Sequence, residues 1–258
     1  MRRHSRGNRR YKAAANAADS AAILAMSPFL RLRGAGYAPG ATAVWTDEIS
    51  GYTFTQSTAA SQPTSVSSDS NFSGKPTVSF DGGDFLVSSA AASTWKFLHT
   101  APMTVAFCHR FAVVSGSVNG VIATANTINT TAAGAAFAST NMTIGSGTVN
   151  NFGGAYGGAA AGYTNNTTVW LVVKWDGTTG TAKAYNRKST QSSWSAMNLT
   201  GTIGSTDPGA TMYIGDYTGG SRKLTGQIAE ILVWNRQISD SEGDTVASYF
   251  SSTYGAVV

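Results

Sequence analysis

LTGQIAEILVWNRQISDSEGDTVASYFSSTYG, residues Leu224 to Gly255, decides the fold. Leu224 to Asn235 reads as a strand. Simple alternation puts Ile228, Glu230, Leu232 and Trp234 on one face and Ala229, Ile231, Val233 and Asn235 on the other. Both faces are largely apolar, so the strand is expected at the centre of a layered structure. Ser239-Asp240-Ser241-Glu242 then fits a capping box, in which a hydroxyl takes the third helical N–H and the glutamate reaches back. Val246, Tyr249 and Phe250 recur at helical spacing, and Gly255 stands where a C-cap glycine belongs. A buried strand, a turn and one terminal helix form a closing element, and a large β structure must exist for it to close.

Working outward, further strands appear. Thr77 to Val87 reads as two strand pieces bent at Asp81-Gly82-Gly83-Asp84. Met103 to Val114 alternates, with Met103, Val105, Phe107, His109 and Phe111 on one face. Ala135 to Ile144 reads as one strand, and Thr168 to Asp176 with Gly180 to Arg187 reads as a hairpin. Ser57 to Ser70 reads as a Ser/Thr-rich connection, and Gly145 to Asn166 is the least strand-like part of the body.

Three stretches carry a family resemblance. GQIAEILVWNRQISDSE with the ending SSTYG resembles the C-terminal signature of LamG-like, concanavalin A-like lectin/glucanase domains. Trp45-Thr46-Asp47, Ser50-Gly51, Ser61-Gln62-Pro63, Gly74-Lys75-Pro76 and Val78 to Leu86 resemble that family's opening strands. Trp170 to Gly177 is similar to its paired central strands. The resemblance runs from about Ser27 to Gly255. It implies an all-β fold: a two-sheet antiparallel jelly-roll β-sandwich with a short C-terminal helix. The expected division is an arm over residues 1–26 and a sandwich domain over residues 27–258. Such a fold hosts many functions, so it does not by itself assign one.

Charge divides the chain the same way. Its 258 residues carry 18 basic and 13 acidic side chains, a formal charge of +5. Arg2, Arg3, Arg6, Arg9, Arg10 and Lys12 supply six of the positive charges, with no acid before Asp19. The rest of the chain is close to neutral, so the basic balance belongs to the arm. The arm is expected to anchor on a neighbouring protein subunit or on nucleic acid, against the alternative of a solubilising tail. Tyr11 is its only aromatic, which leaves no platform for stacking bases. Cys108 is the one cysteine, which excludes an intrachain disulfide. No apolar run reaches the length of a membrane span.

Catalytic chemistry finds little support. A glycosidase needs two carboxyls flanking the scissile bond. The related glucanases place three acids on one strand as E-x-D-x-x-E. This chain holds only Glu48, Glu230 and Glu242, with no such cluster. There is no G-x-S-x-G and no phosphate-binding loop. Cys108 and His109 are adjacent on a strand and face opposite ways. Calcium is common among relatives of this fold, and Asp81 and Asp84 would supply oxygens; the competing reading is that they form the turn. Tyr156, Tyr163, Asn165, Trp194, Asp216 and Tyr217 lie in Gly/Asn/Ser-rich surroundings and suit either a glycan site or a protein interface. The expected function is a non-catalytic structural protein of a larger assembly, a phage virion decoration protein that displays a lectin-like sandwich. The alternatives are a secreted or surface carbohydrate-binding module and, third, a glycoside hydrolase. The expected location follows: the virion, or alternatively the extracellular space.

Overall fold

The computed structural model describes residues 20–112, 120–124, 134–138, 142–145, 150–151, 166–177, 182–186, 194–197, 209–216 and 223–255. Its strands are β1 (Leu30–Arg33), β2 (Tyr37–Ala38), β3 (Ala43–Thr46), β4 (Thr53–Gln56), β5 (Thr64–Asp69), β6 (Lys75–Asp81), β7 (Leu86–Ser88), β8 (Met103–Phe111) and β9 (Gly120–Ala123). They continue with β10 (Gly134–Ala138), β11 (Met142–Gly145), β12 (Asn150–Asn151), β13 (Thr168–Trp175), β14 (Ala182–Asn186), β15 (Ser195–Met197), β16 (Tyr213–Ile214) and β17 (Thr225–Trp234). A short helix α1 spans Phe97–Thr100 and the terminal helix α2 spans Asp240–Tyr254.

These strands form two antiparallel sheets, the expected sandwich. One runs β15-β14-β13-β8-β17-β6-β5, with β1 also paired to β17; the other runs β12-β11-β10-β9-β16-β7-β4-β3-β2. β17 is the hub. It pairs with β8 along one edge, while β6 and then β1 share the other. Where β1 ends against β6, Gly34 lets the backbones meet: a Cβ there would sit 2.3 Å from the Pro76 carbonyl oxygen.

Two apolar layers result. Leu32, Trp45, Phe54, Val105, Leu171 and Ile231 pack between the sheets. Ala106, Trp170, Leu232, Trp234, Val246 and Phe250 pack between the first sheet's outer face and α2. Each fully buried large side chain contributes roughly 1.5–3 kcal/mol, so the second layer holds α2 firmly. The capping box is formed: Ser239 accepts from the Glu242 N–H, and the Glu242 carboxylate accepts from the Ser239 N–H. Gly255 closes the helix at φ 59°. The first sheet is therefore roofed by a helix, and we call the second the open sheet.

The alternation in β17 differs from the expected one. Ile228 packs between the sheets, while Ala229, Leu232 and Trp234 pack under α2. Pairing with β8 shifts between Ile228 and Glu230, leaving Ala229 as the extra residue of a bulge. The bulge reverses the phase, so Ile228 does not share a face with Leu232 and Trp234. Residues 134–145 form a hairpin of β10 and β11 rather than one strand. The Ser57–Ser70 connection contains β5, which among the described residues pairs with β6 and forms the edge of its sheet. The bend at Asp81–Asp84 carries the chain from β6 in one sheet to β7 in the other. Residues 20–25, expected in the arm, are helical, and Ile23 is fully buried beneath them in the α2 layer.

Candidate functional site

The strongest polar constellation is enclosed, not exposed. Glu230 on β17 is 0% accessible and Arg31 on β1 is 1%. Arg31 Nε donates to Glu230 Oε1 at 2.8 Å, Nη2 to the Tyr249 hydroxyl at 2.7 Å, and Nη1 to Ser20 Oγ at 3.0 Å. Glu230 Oε2 accepts from the hydroxyls of Tyr249 at 2.6 Å and Tyr254 at 2.5 Å. Burial pushes the Glu230 carboxyl above its usual range, against the pull of Arg31 and the two phenols. The bulge at Ala229 aims this carboxylate at the helix. Both oxygens are engaged and no solvent reaches them, so the network ties β1, β17, α2 and the segment at Ser20 together.

The other two glutamates are engaged as well. Glu242 caps α2 and takes Arg236 at 2.6 Å and 3.0 Å; that hydrogen bonding holds its carboxyl down at about 2. Glu48 accepts from Arg33 Nε at 2.7 Å.

Asp81 and Asp84 make the hydrogen bonds of the inter-sheet turn. Asp84 Oδ2 accepts from the Asp81 N–H at 2.9 Å, and Asp81 Oδ1 from the Gly83 N–H at 2.7 Å. Lys223 Nζ donates to the Gly83 carbonyl at 2.7 Å, placing a cation beside them. Among the described residues, no three His, Cys, Asp or Glu side chains gather as a metal site.

Of the residues proposed for glycan or interface contact, Tyr156, Tyr163, Asn165 and Tyr217 lie outside the described residues, as do the arm residues Arg2, Arg3, Arg6, Arg9, Arg10 and Lys12. Trp194 is half-buried against α2. Lys174 Nζ lies 4.1 Å from its ring centroid, and a Cβ on Gly243 would meet the ring at 2.1 Å. Lys174 in turn pairs with Asp240. The indole thus packs a helix rather than standing free on a loop. Asp216 is 2% exposed, so it too sits within the fold.

Among the described residues, the open sheet's outer face is accessible from β16 to the β2 edge. Antiparallel register lines up Ala38, Val44, Thr55, Val87 and Tyr213 across β2, β3, β4, β7 and β16. Ala38 is exposed and the other four are half-buried. Four strand spacings make this row about 19 Å long. Phe85, two residues before Val87, stacks on Tyr213 with centroids 6.1 Å apart at 24°. Lys223 Nζ stands 5.4 Å from the Phe85 ring centroid. Along the opposite flank, two residues on from the row or before it, lie Thr46, Thr53 and Ser89, with Thr53 Oγ1 donating to Ser89 Oγ at 2.8 Å. The result is a shallow strip with aromatic faces at one end, hydroxyls along one side and a cation at the other. Sequence reasoning missed it, because Tyr213 and Phe85 meet only through strand pairing.

No protein-family model and no curated protein matches the sequence. Solved structures do match the fold. A Trypanosoma rangeli sialidase in complex with 2,3-difluorosialic acid is 14% identical with a TM-score of 0.52, over 88% of this chain and 33% of that one. The same sialidase with sialic acid gives 14% and 0.51, over 86% and 32%. The chain thus spans about a third of the length of these sialidases. A Ruminococcus gnavus sialidase CBM40 bound to alpha2,3 sialyllactose is 12% identical with a TM-score of 0.43, over 60% of this chain and 85% of that one. The likeness to the sialidases is one of fold.

Proposed function

We propose that this chain is a non-catalytic glycan-recognition module that reads sugars with the open sheet's outer face. One observation carries the reading: the Phe85–Tyr213 stack, flanked by hydroxyls and Lys223, on the sheet face that α2 leaves uncovered. Aromatic rings offer sugar C–H groups an apolar face, and hydroxyl and ammonium groups bond the ring oxygens. The fold shared with part of a sialidase supports the reading without assigning a sugar. The enclosed Glu230, with Glu48 and Glu242 each held by an arginine, supports the absence of glycosidase chemistry. A glycan array probed with the full chain tests the proposal. Binding to a defined set of glycans, without turnover of the bound sugars, is expected. A blank array at high protein concentration, or released sugar, would overturn it.

The segregated charge favours a second reading. Six cations in residues 2–12 on a nearly neutral body suit a component anchored in a larger particle, such as a virion, with the sandwich displayed outward. In that case a chain lacking residues 2–12 folds but fails to join the particle. Both readings place the sandwich outside a cell, on a particle or a surface.

A further inference from the structure

The open-sheet strip has two unlike ends. At one, β16 pairs with β9, and Ala123 stands directly opposite Tyr213, on the same face of the sheet. Ala123 is 0% exposed, so the outer face is closed immediately beyond the Tyr213 ring. At the other end, Ala38 on the β2 edge is exposed, and so is each of the residues 39–42 that follow it. The strip is a one-ended track, shut at β9 and running out to solvent over β2. Its recognition groups are gathered at the shut end. Tyr213 and Phe85 stack there, with Lys223 Nζ 5.4 Å from the Phe85 centroid and fixed by its bond to the Gly83 carbonyl. From there the row continues through Val87, Thr55, Val44 and Ala38, none of them aromatic or charged.

We infer that the strip reads the terminus of a glycan chain and not its interior. The last ring lies on Tyr213 and Phe85 with its polar substituents toward Lys223, and the units behind it leave across β7, β4 and β3 over the β2 edge. This rests on the glycan reading above and adds to it the class of target, chain ends. A surface that grips the interior of a repeating polymer gains from a stacking platform at each successive unit, because every unit presents the same faces. A single platform against a closed wall grips one unit. That unit is the last, since the chain has no path onward through the protein. Strands stand about 4.8 Å apart, so four spacings take about four rings laid roughly one per strand. Thr46, Thr53 and Ser89 run beside this path, with Thr53 Oγ1 donating to Ser89 Oγ at 2.8 Å. The later units therefore meet hydroxyls without stacking and add less than the first.

A printed array of defined glycans, probed with the full chain, separates the two classes of target. Bound glycans should share one terminal unit and differ in their interiors, and capping that unit with one further sugar should weaken binding at least roughly tenfold. Calorimetry with a short and a long oligomer ending in that unit should give one protein per chain for both, with affinities within roughly twofold of each other. Cys108 is fully buried, so a surface thiol takes a label selectively. A fluorophore on the far end of the short oligomer should be quenched by a contact quencher on Thr42→Cys, beyond the open edge, and not by one on Ser248→Cys, on α2. Bound glycans that share an interior and differ at their ends, several proteins on one long oligomer, or equal quenching from both thiols would overturn the inference and leave the glycan reading standing. A blank array would overturn both.

Discussion

Replacing Tyr249 by Phe removes two hydrogen bonds without opening a cavity. The ring keeps its packing against Phe250 and Tyr254, at centroid separations of 5.6 and 6.3 Å. What is lost is the donation to Glu230 Oε2 and the acceptance from Arg31 Nη2, both to charged partners with no access to water. Hydrogen bonds to charged groups contribute about 1.5–3 kcal/mol, and stranding a buried donor adds to the loss. Tyr249→Phe should therefore cost about 3 kcal/mol. Tyr254→Phe, which loses only one bond to the same oxygen, should cost about 2 kcal/mol. The double variant leaves Oε2 with neither phenol, so its cost should exceed the sum by about 1 kcal/mol. Urea unfolding followed by tryptophan fluorescence reads this well, because Trp45, Trp95, Trp170, Trp175 and Trp234 are all fully buried. For a chain of this size, 3 kcal/mol corresponds to a fall of about 6–12 °C in Tm. A Tyr249→Phe cost below that of Tyr254→Phe, or both below about 0.5 kcal/mol, would refute the network as the tie between helix and sheet.

Further outcomes follow from single sites. Gly34→Ala places its Cβ 2.3 Å from a backbone oxygen of β6, so it should lower stability by about 3 kcal/mol or prevent soluble expression, read by circular dichroism and yield. His109 is buried between Phe107 and Phe111, and burial lowers its pKa from 6.5 to about 3, against a backbone hydrogen bond with Phe107. The unfolded chain then takes up a proton below about pH 6.5 that the folded chain refuses until about 3. Stability should fall with pH across that window, by up to on the order of 4 kcal/mol, and His109→Leu should flatten the fall in urea titrations at several pH values. Ser239→Ala removes half of the capping box and should cost about 1 kcal/mol in the same assay.

Local chemistry was legible in the sequence and long-range geometry was not. The capping box, the Gly255 cap and the alternation of β8 were read correctly, because each depends on residues within a few positions. The phase of β17 was not, because the bulge at Ala229 is set by pairing with β8, which no spacing within LTGQIAEILVWN encodes. β5 hid behind its Ser/Thr content; an edge strand needs few apolar residues, since it is paired on one side only. Glu230 was recognisable as a buried acid by its place mid-strand in a largely apolar run. Its partner Arg31, 199 positions away, was not. The row through Val44, Thr55, Val87 and Tyr213 likewise exists only as register. Trp194 looked like a loop aromatic because its sequence surroundings are polar, whereas Gly243 opens a seat for it on α2.

The most direct test of the glycan reading is calorimetric titration of an array-selected glycan into the wild-type chain and into Tyr213→Ala. Tyr213 lies on the outer face of the short β16, flanked by inward-facing Met212 and Ile214, so its truncation leaves both apolar layers intact. Loss of one stacked ring is worth about 1–3 kcal/mol, by analogy with base stacking on aromatics. The account predicts binding by the wild-type chain and at least a roughly fivefold weaker affinity for a folded Tyr213→Ala variant. Equal affinities in the two would contradict recognition by the open-sheet face.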